Sequence, residues 1–393
     1  MSISLSLLIA LSLMIIGFYA APAKVRASVG SDQRQLAALL RQYGLNTALS
    51  VLIPTIAVVI GGALAGGGGL FGWLIVIVAG VAFMTAMLRV SPQQRARTEA
   101  ETWIKLILIG ASVIAILTTV GIVLSMLFET RNFFAQYSWS DFFFSAEWSP
   151  NFRGDSALGI IPLLWGTLYI SFIALLFAVP IGLFAAIYLS EYAGRRMRCV
   201  AKPAIEILAG IPTIVYGLFA LITVGPFLRD YFASPMGFGD SASSVMTAGL
   251  VMGIMLIPFV SSLSDDIINA VPQAMRDGSL GLGATKSETI RQVVIPAALP
   301  GIVGAVLLAA SRAIGETMIV VLGAGAAARL SLNPFEAMTT VTVKIVSQLT
   351  GDTDFASPET LVAFALCLTL FVITLGLNVF ALFIVRKYRE QYE

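Results

Sequence analysis

The chain has 393 residues, of which 58% are hydrophobic and only 12% are charged, and its formal net charge is +2. Soluble domains carry about 25% charged residues, so this composition excludes an ordinary soluble enzyme, and the high apolar content excludes a disordered chain. The small net charge gives no reason to expect a nucleic-acid partner. With no histidine and two distant cysteines, Cys199 and Cys367, the sequence offers neither a metal centre nor Ser-His or Cys-His catalysis. The composition predicts an all-α polytopic membrane protein.

Uncharged runs long enough to cross a lipid bilayer recur along the chain. A membrane helix needs roughly 20 apolar residues to cross about 30 Å of hydrocarbon. The run 42–88 is interrupted at Gly66–Gly69, and because glycine favours turns over helices we divide it into spans near 46–65 and 70–88. With that division the sequence predicts nine spans, in the uncharged runs 1–23, 42–88, 106–128, 156–190, 207–228, 241–264, 292–311 and 360–385.

Basic residues predict the orientation of these spans. Cytoplasmic loops of membrane proteins are enriched in Lys and Arg. Alternate loops, beginning with the one after the first span, hold 18 of the 24 Lys and Arg residues, whereas the opposite loops hold five. This distribution predicts a periplasmic N-terminus and a cytoplasmic C-terminus. The first span is expected to be an anchor because no basic segment precedes it, and a cleaved signal peptide is the alternative.

The chain divides into three parts by content. Residues 1–90 are predicted to form an N-terminal membrane extension of three spans, and residues 91–157 a first core span with an outer loop. Residues 158–393 hold five further spans and most polar features, including a cytoplasmic loop at 265–300. Within that loop, 281–287 resembles a phosphate-binding P-loop only faintly, because the glycine that must precede Lys-Ser is absent. We therefore expect no nucleotide site, cofactor or catalytic residue in this chain.

The cytoplasmic loop contains the strongest motif. Asp277 begins a short polar segment, Gly283 follows, and an apolar pair and a proline complete the pattern at Val293, Ile295 and Pro296. The pattern resembles the coupling motif of ABC importer permeases, although Asp-Gly-Ser stands where that motif has Glu-Ala-Ala. It predicts a short helix from Asp277, a turn at Gly283 and a second helix ending at Pro296, which together fit a cleft on an ATPase. The alternative is an ordinary amphipathic loop at the membrane surface.

Charged residues in the next predicted span form the second signal. Arg312 and Glu316 are four residues apart and are expected on one face of a helix. Charges at that depth are costly and normally face a bundle interior or a water-filled path. Arg312 would attract an oxyanion, Glu316 would compete with the anion so that it is released, and Thr317 would donate a hydrogen bond. The alternative is a structural ion pair that joins two helices.

The run Ser-Arg-Ala-Ile-Gly-Glu-Thr-Met at 311–318 resembles the signature of the permease subunits of phosphate-specific ABC importers, of the PstC type. Sulfate and molybdate permeases usually have an aromatic residue and a glycine after the Gly-Glu pair, so Thr317 and Met318 favour phosphate. The resemblance covers about 158–387. It implies a six-helix type I importer core, with helices near 103–128, 158–189, 203–228, 244–264, 297–325 and 361–386.

The resemblance also implies partners and a location in the bacterial inner membrane. A second permease of the PstA type would complete the path for phosphate. A dimer of cytoplasmic ATPases would bind ATP and magnesium, and a periplasmic phosphate-binding protein would dock on the opposite side. The outer loops 129–157 and 326–360 form the natural docking face through their acidic residues Asp141, Glu147, Asp352, Asp354 and Glu359.

Several alternatives follow from the sequence. The cargo could be sulfate, molybdate or tungstate, and the protein could be an anion transporter without an ATPase or a phosphate sensor that moves nothing. Within the path, Glu206, Asp265 and Asp266 are alternatives to the residues above. We interpret them first as acids at helix ends near the cytoplasm, where they cap a helix or pair with Arg195, Arg196 or Arg198.

Overall fold

The computed structural model describes residues 2–30, 36–64, 70–151, 156–351 and 357–389. Within these ranges the chain is almost entirely helical, and its β-structure is one antiparallel pair of two-residue strands. The predicted turn at Gly66–Gly69 and the predicted docking residues Asp352 and Asp354 lie outside the described residues.

Nine helices of the described chain are long and apolar enough to cross a membrane, which confirms the predicted number. The helices α8 and α9 belong to one continuous span that ends at Ala233, and α12 and α13 belong to another. Five-residue π-helical turns lie at 188–192, 220–224, 229–233 and 290–294. In chain order the elements are α1 (Ile3–Val29), α2 (Leu40–Leu64), α3 (Leu70–Arg89), α4 (Ala96–Gln136), α5 (Trp139–Phe144), β1 (Trp148–Ser149), β2 (Ala157–Leu158), α6 (Ile161–Ile187), α7 (Arg195–Ala209), α8 (Thr213–Phe219), α9 (Gly225–Leu228), α10 (Val245–Ala270), α11 (Gln273–Gly281), α12 (Lys286–Thr289), α13 (Ile295–Ile314), α14 (Met318–Gly323), α15 (Val341–Gly351) and α16 (Pro358–Arg389).

Packing divides the chain into two compact units, residues 1–122 and 123–393. The boundary falls inside α4, whereas composition suggested a boundary near residue 90. In the first unit α1, α2 and α3 pack against one another. Gly44 of α2 approaches α1 so closely that an added Cβ atom would meet the carbonyl oxygen of Phe18. Such close approach between small residues is what holds helices together in lipid, where no hydrophobic effect acts between them.

The helix α10 forms the centre of the second unit. Of its most apolar 18-residue stretch 67% is buried, more than in any other described span. It packs along α6, and a Cβ atom added at Gly249 would lie only 2.6 Å from Ile173 Cγ2. A Cβ atom added at Gly182 of α6 would lie 2.9 Å from Val260. Because the two helices interlock at both places, we treat α6 and α10 as a rigid pair.

The prediction of a single helix at 203–228 is wrong. The span begins at Thr213, and the preceding residues form a separate amphipathic helix, α7, that buries none of its residues. Pro212 separates the two with φ −55° and ψ 136°. Proline has no N–H for a helical hydrogen bond and disfavours helical backbone in the residue before it, so the chain turns here.

One end of the second unit is closed by an aromatic cluster. The antiparallel pair of Trp148 with Leu158 holds the loop after α4 against α16. Glu359, predicted as a docking residue, is buried and accepts a hydrogen bond of 2.5 Å from Ser156 Oγ. Its role is therefore structural, whereas the predicted docking residues Asp141 and Glu147 are exposed. The clustered aromatic residues are Phe133, Phe134, Tyr137, Phe142, Phe143 and Trp148.

Candidate functional site

Residues 273–289 form a compact helix–turn–helix, here called the helical knob. Its first helix, α11, carries Asp277 and buries none of its residues, and Leu282 beyond it is 91% exposed. Gly283 then takes φ +87°, the left-handed region that L-residues with a side chain avoid. Thr285 starts α12 with a capping box, since its side chain accepts from the Glu288 N–H while Glu288 accepts from the Thr285 N–H. An apolar tip on a rigid turn suits insertion into a protein cleft.

The segment that follows the helical knob differs from the prediction. No helix ends at Pro296, because one continuous helix runs from Lys286 to Ile314. Pro296 is tolerated as the second residue of α13, directly after the π-helical turn 290–294, where the hydrogen-bond register has already widened. Of the predicted apolar positions, Val293 and Ile295 are only half-buried. Ile290 is buried in this segment, and Val294, Ala298 and Ile302 pack on the ends of α6 and α10.

An ion pair ties the knob to two spans. Arg276 of α11 lies 3.1 Å from the Glu191 carboxylate at the end of α6, and both side chains are largely buried. Arg276 Nη2 also donates to the carbonyl oxygen of Ile268 in α10, at 2.6 Å. We call this arrangement the Glu191–Arg276 latch. Sequence reasoning did not select either residue, and the available signal was only their opposite charge beside the motif.

A second ion-paired cluster, here called the Asp265 latch, holds α7 against α10. Asp265 is 2% exposed, and its carboxylate accepts from Arg198 Nη2 at 3.1 and 3.2 Å and from Lys202 Nζ at 2.7 Å. Asn269 Nδ2 adds a bond of 2.9 Å. The hydrogen bond to Asp265 raises the pKa of Lys202, against the opposing effect of burial. The interpretation of Asp265 as a partner of Arg198 is confirmed, since every charge here is paired as a buried carboxylate requires.

The prediction that Arg312 and Glu316 lie on one face of a helix is wrong. The helix α13 ends at Ile314, so Glu316 and Thr317 lie in a break before α14. Glu316 Oε1 accepts from the N–H groups of Met318 at 3.0 Å and Ile319 at 3.4 Å. Glu316 therefore caps the start of α14 and does not share a helix face with Arg312. Thr317 occupies the N-cap position, and its side chain makes no capping hydrogen bond.

Arg312 is exposed and has no carboxylate within 4 Å in the described part of the chain. The alternative of a structural ion pair with Glu316 is therefore wrong too. The Arg312 guanidinium carbon lies 5.9 Å from the centre of the Phe259 ring, within the range of a cation–π contact. Its hydrogen-bond donors remain available to a ligand.

Arg312 lines a cleft of about 570 Å³, here called the Arg312 cleft. Glu206 of α7 contributes a carboxylate to the same cleft, and α10 contributes an apolar wall that includes Phe259. The residues of the break at Gly210–Pro212 line it as well. The predicted path residue Arg312 and the alternative Glu206 therefore meet at one cleft, whereas Glu316 and Thr317 do not line it. An unpaired guanidinium facing a carboxylate can hold an oxyanion without binding it too tightly to leave.

The fold and the helical knob are those of a polytopic membrane permease, and sequence comparison supports this class. Residues 178–390 match the family described as binding-protein-dependent transport system inner membrane component. The match covers more than half of the chain. The chain belongs to this family, which confirms the resemblance found in the sequence.

The named relatives include several phosphate transport system permease proteins PstC. The protein of Mesorhizobium japonicum is 32% identical, over 67% of this chain and 84% of its own. The protein of Xylella fastidiosa is 31% identical, over 73% of this chain and 92% of its own. The PstC 1 protein of Mycobacterium tuberculosis is 35% identical, over 63% of this chain and 81% of its own.

Among solved structures, a subunit of a bacterial alginate ABC transporter in complex with an alginate-bound periplasmic protein matches with a TM-score of 0.51. The alignment covers 72% of this chain and 95% of that one, at 17% identity. At this identity the likeness shows the fold alone, an ABC transporter permease fold.

Proposed function

We propose that this chain is the transmembrane subunit of an ATP-driven phosphate importer. Its relatives carry the name of phosphate permeases, and the observation that carries the proposal within the molecule is the unpaired Arg312 guanidinium in its cleft. A second permease of the PstA type would supply the other half of the path. A cytoplasmic ATPase dimer and a periplasmic phosphate-binding protein complete the importer.

Arg312 is the residue that receives phosphate. Its planar fork of N–H donors matches two phosphate oxygens, and the Phe259 ring supports the cation in an otherwise apolar wall. Charge inside a membrane protein is costly, so a cation without a partner at this depth needs a function to account for it. Thr317 and Glu316 stand at the break beyond Arg312, where they shape the end of α13.

Glu206 favours phosphate over sulfate. Near neutral pH phosphate carries at least one P–OH group, which donates a hydrogen bond to a carboxylate, whereas sulfate has no proton and is repelled by it. The same carboxylate competes for Arg312 and prevents the anion from being held too tightly. A site with a guanidinium and a carboxylate therefore selects a protonated oxyanion.

The helical knob would transmit the motion of the ATPases. Its exposed tip fits a cleft on an ATPase, with Asp277 and Gly283 setting its shape and Val293, Ile295 and Pro296 joining it to α13. When the ATPases close, the Glu191–Arg276 latch pulls the rigid pair of α6 and α10 as one body. The Arg312 cleft, built on α10 and α13, then opens and closes.

The chain itself holds no cofactor in this proposal, since ATP and magnesium bind to the ATPases, and it catalyses no reaction. It resides in the bacterial inner membrane with its N-terminus in the periplasm and its C-terminus in the cytoplasm. The excess of basic residues in alternate loops supports this orientation.

The test is anion-stimulated ATP hydrolysis by the importer reconstituted in liposomes, with the binding protein present. We expect phosphate to stimulate hydrolysis and sulfate, molybdate and tungstate to leave it near the basal rate. Stimulation by one of those anions instead would keep the class and change the cargo. If no ATPase co-purifies with the chain, the proposal fails as a whole, and an ATPase-independent transporter replaces it.

A further inference from the structure

A groove of about 720 Å³ lies between α2, α3 and the beginning of α4, entirely within the first unit. We call it the α3 groove. The exposed aliphatic side chains of Ile77, Val81 and Leu106 line its length. One end is polar, with Arg89 as the last residue of α3 and Glu99 in the first turn of α4. Since α3 is just long enough to cross the hydrocarbon, this end lies at the level of the lipid headgroups.

Two hydrogen-bond acceptors at the polar end have no donor among the described residues. Glu99 Oε2 accepts from Asn46 Nδ2 at 2.7 Å and from Gln94 Nε2 at 2.6 Å. Both amide groups therefore turn their N–H groups to Glu99 and their oxygens away from it. Asn46 is only 5% exposed, and the buried atoms Asn46 Oδ1 and Gln94 Oε1 have no hydrogen-bond partner. Buried acceptors are normally satisfied, so the described residues leave this polar end short of hydrogen-bond donors.

The charges at this end are unpaired as well. Within the part of the chain that the structure describes, Glu99 has no basic partner and Arg89 has no acidic partner within 4 Å. A ligand complementary to this end carries a cationic donor for Glu99 and an anionic group for Arg89. It also carries an apolar chain for the aliphatic wall.

We propose that the α3 groove binds a zwitterionic phospholipid whose headgroup ends in a primary ammonium. The ammonium pairs with the Glu99 carboxylate, which has no basic partner among the described residues. The lipid phosphate accepts from Arg89, and an acyl chain lies against Ile77 and Val81. A choline headgroup has no N–H to donate, and an anionic headgroup lacks a cation for Glu99, so both fit less well.

The test measures lipids retained by the purified full-length protein. The protein is exchanged into nanodiscs of equimolar phosphatidylethanolamine, phosphatidylcholine and phosphatidylglycerol, and bound lipids are counted by native mass spectrometry. We expect phosphatidylethanolamine to be retained about tenfold over phosphatidylcholine, as the loss of one charge-assisted hydrogen bond implies. Glu99→Gln keeps the amide network and should abolish this preference, whereas Arg89→Gln should lower retention of both lipids.

Glu101→Gln is the matched control. Glu101 lies on the same helix, is 51% exposed and pairs with Arg97 at 2.8 Å, and it does not line the groove. This variant should retain lipids as the unmodified protein does. Equal retention of the three lipids, or an equal effect of Glu101→Gln and Glu99→Gln, would overturn the proposal. So would a photoreactive residue at position 81 that cross-links to another protein chain instead of lipid. If Glu99→Gln fails to fold, the lipid retention measured for Arg89→Gln still tests the proposal.

Discussion

Two charged regions of the second unit are built in opposite ways. At the Asp265 latch and the Glu191–Arg276 latch, each carboxylate is largely buried and meets a guanidinium or ammonium within 3.1 Å. In the Arg312 cleft, by contrast, Arg312 and Glu206 line one space without forming an ion pair. Both regions contact α10, so the difference does not arise from a different scaffold.

The contrast separates charges that join helices from charges that remain available to a ligand. A buried carboxylate in an ion pair fixes one helix against another, and removing it leaves its cation without compensation. A charge held without a partner does not stabilise the fold, and it remains available to a ligand. The latches should therefore respond to substitution through stability, and the cleft through transport.

The largest effect is expected for Arg312→Gln. The substitution removes the cation and its paired donors, and phosphate uptake should fall by about a hundredfold or more, as the loss of two charge-assisted hydrogen bonds implies. Since Arg312 has no ion pair to lose, the amount of assembled complex should not change. Arg229→Gln, which alters an exposed arginine paired with Asp230 at 2.7 Å, is the control and should transport normally. Loss of assembly with Arg312→Gln would contradict the contrast between cleft and latch.

A substitution in the Asp265 latch should instead lower the stability of the protein. Asp265→Asn removes the charge that compensates Arg198 and Lys202, and we expect the unfolding free energy to fall by about 2 kcal/mol. The effect stays below that of a fully buried pair because both cations keep about one-third of their exposure. Asp266→Asn is the neighbouring control, since Asp266 is 67% exposed and 3.6 Å from Lys202. Thermal unfolding of the purified complex measures both, and an equal effect would show that Asp265 is not a latch.

The spans were predictable because they depend on composition and length alone. Uncharged runs of about 20 residues gave the number of spans, and the motif pattern around Gly283 predicted the turn there, which the structure shows with a positive φ. These features are local, so a single sequence contains them. The family resemblance also rested on short local sequence motifs.

The helix breaks and the latches were not predictable in this way. Whether Gly315 ends a helix depends on partners for the freed backbone groups, and those come from Glu316 and from Thr342, which donates to the Glu316 carbonyl at 2.8 Å. The sequence contains no sign that Thr342 would be near. Likewise, Glu191 and Arg276 are 85 positions apart along the chain, and only the packing of α6 against α10 brings them together.

Gly283 offers a sharper test of the helical knob. An added Cβ atom would meet nothing within 4 Å, so a substitution acts only through the positive φ. Gly283→Val should be strained by about 1–2 kcal/mol and lower phosphate-stimulated ATP hydrolysis about tenfold, while leaving phosphate binding intact. Gly283→Asn is the control, because asparagine tolerates left-handed backbone, and it should retain most of the stimulation. If both variants are equally impaired, the side chain itself obstructs the ATPase and the turn geometry is not the cause.

The smallest effect is expected for Glu206→Gln, and it concerns selectivity. Glutamine keeps the size of the side chain but no longer repels a fully deprotonated anion. The ratio of phosphate-stimulated to sulfate-stimulated ATP hydrolysis should therefore fall by about threefold to tenfold, the effect of one hydrogen bond in an open cleft. Glu101→Gln alters an exposed acid that does not line the cleft and should leave the ratio unchanged. An unchanged ratio with Glu206→Gln would mean that Arg312 alone receives the anion and that discrimination between phosphate and sulfate arises outside this cleft.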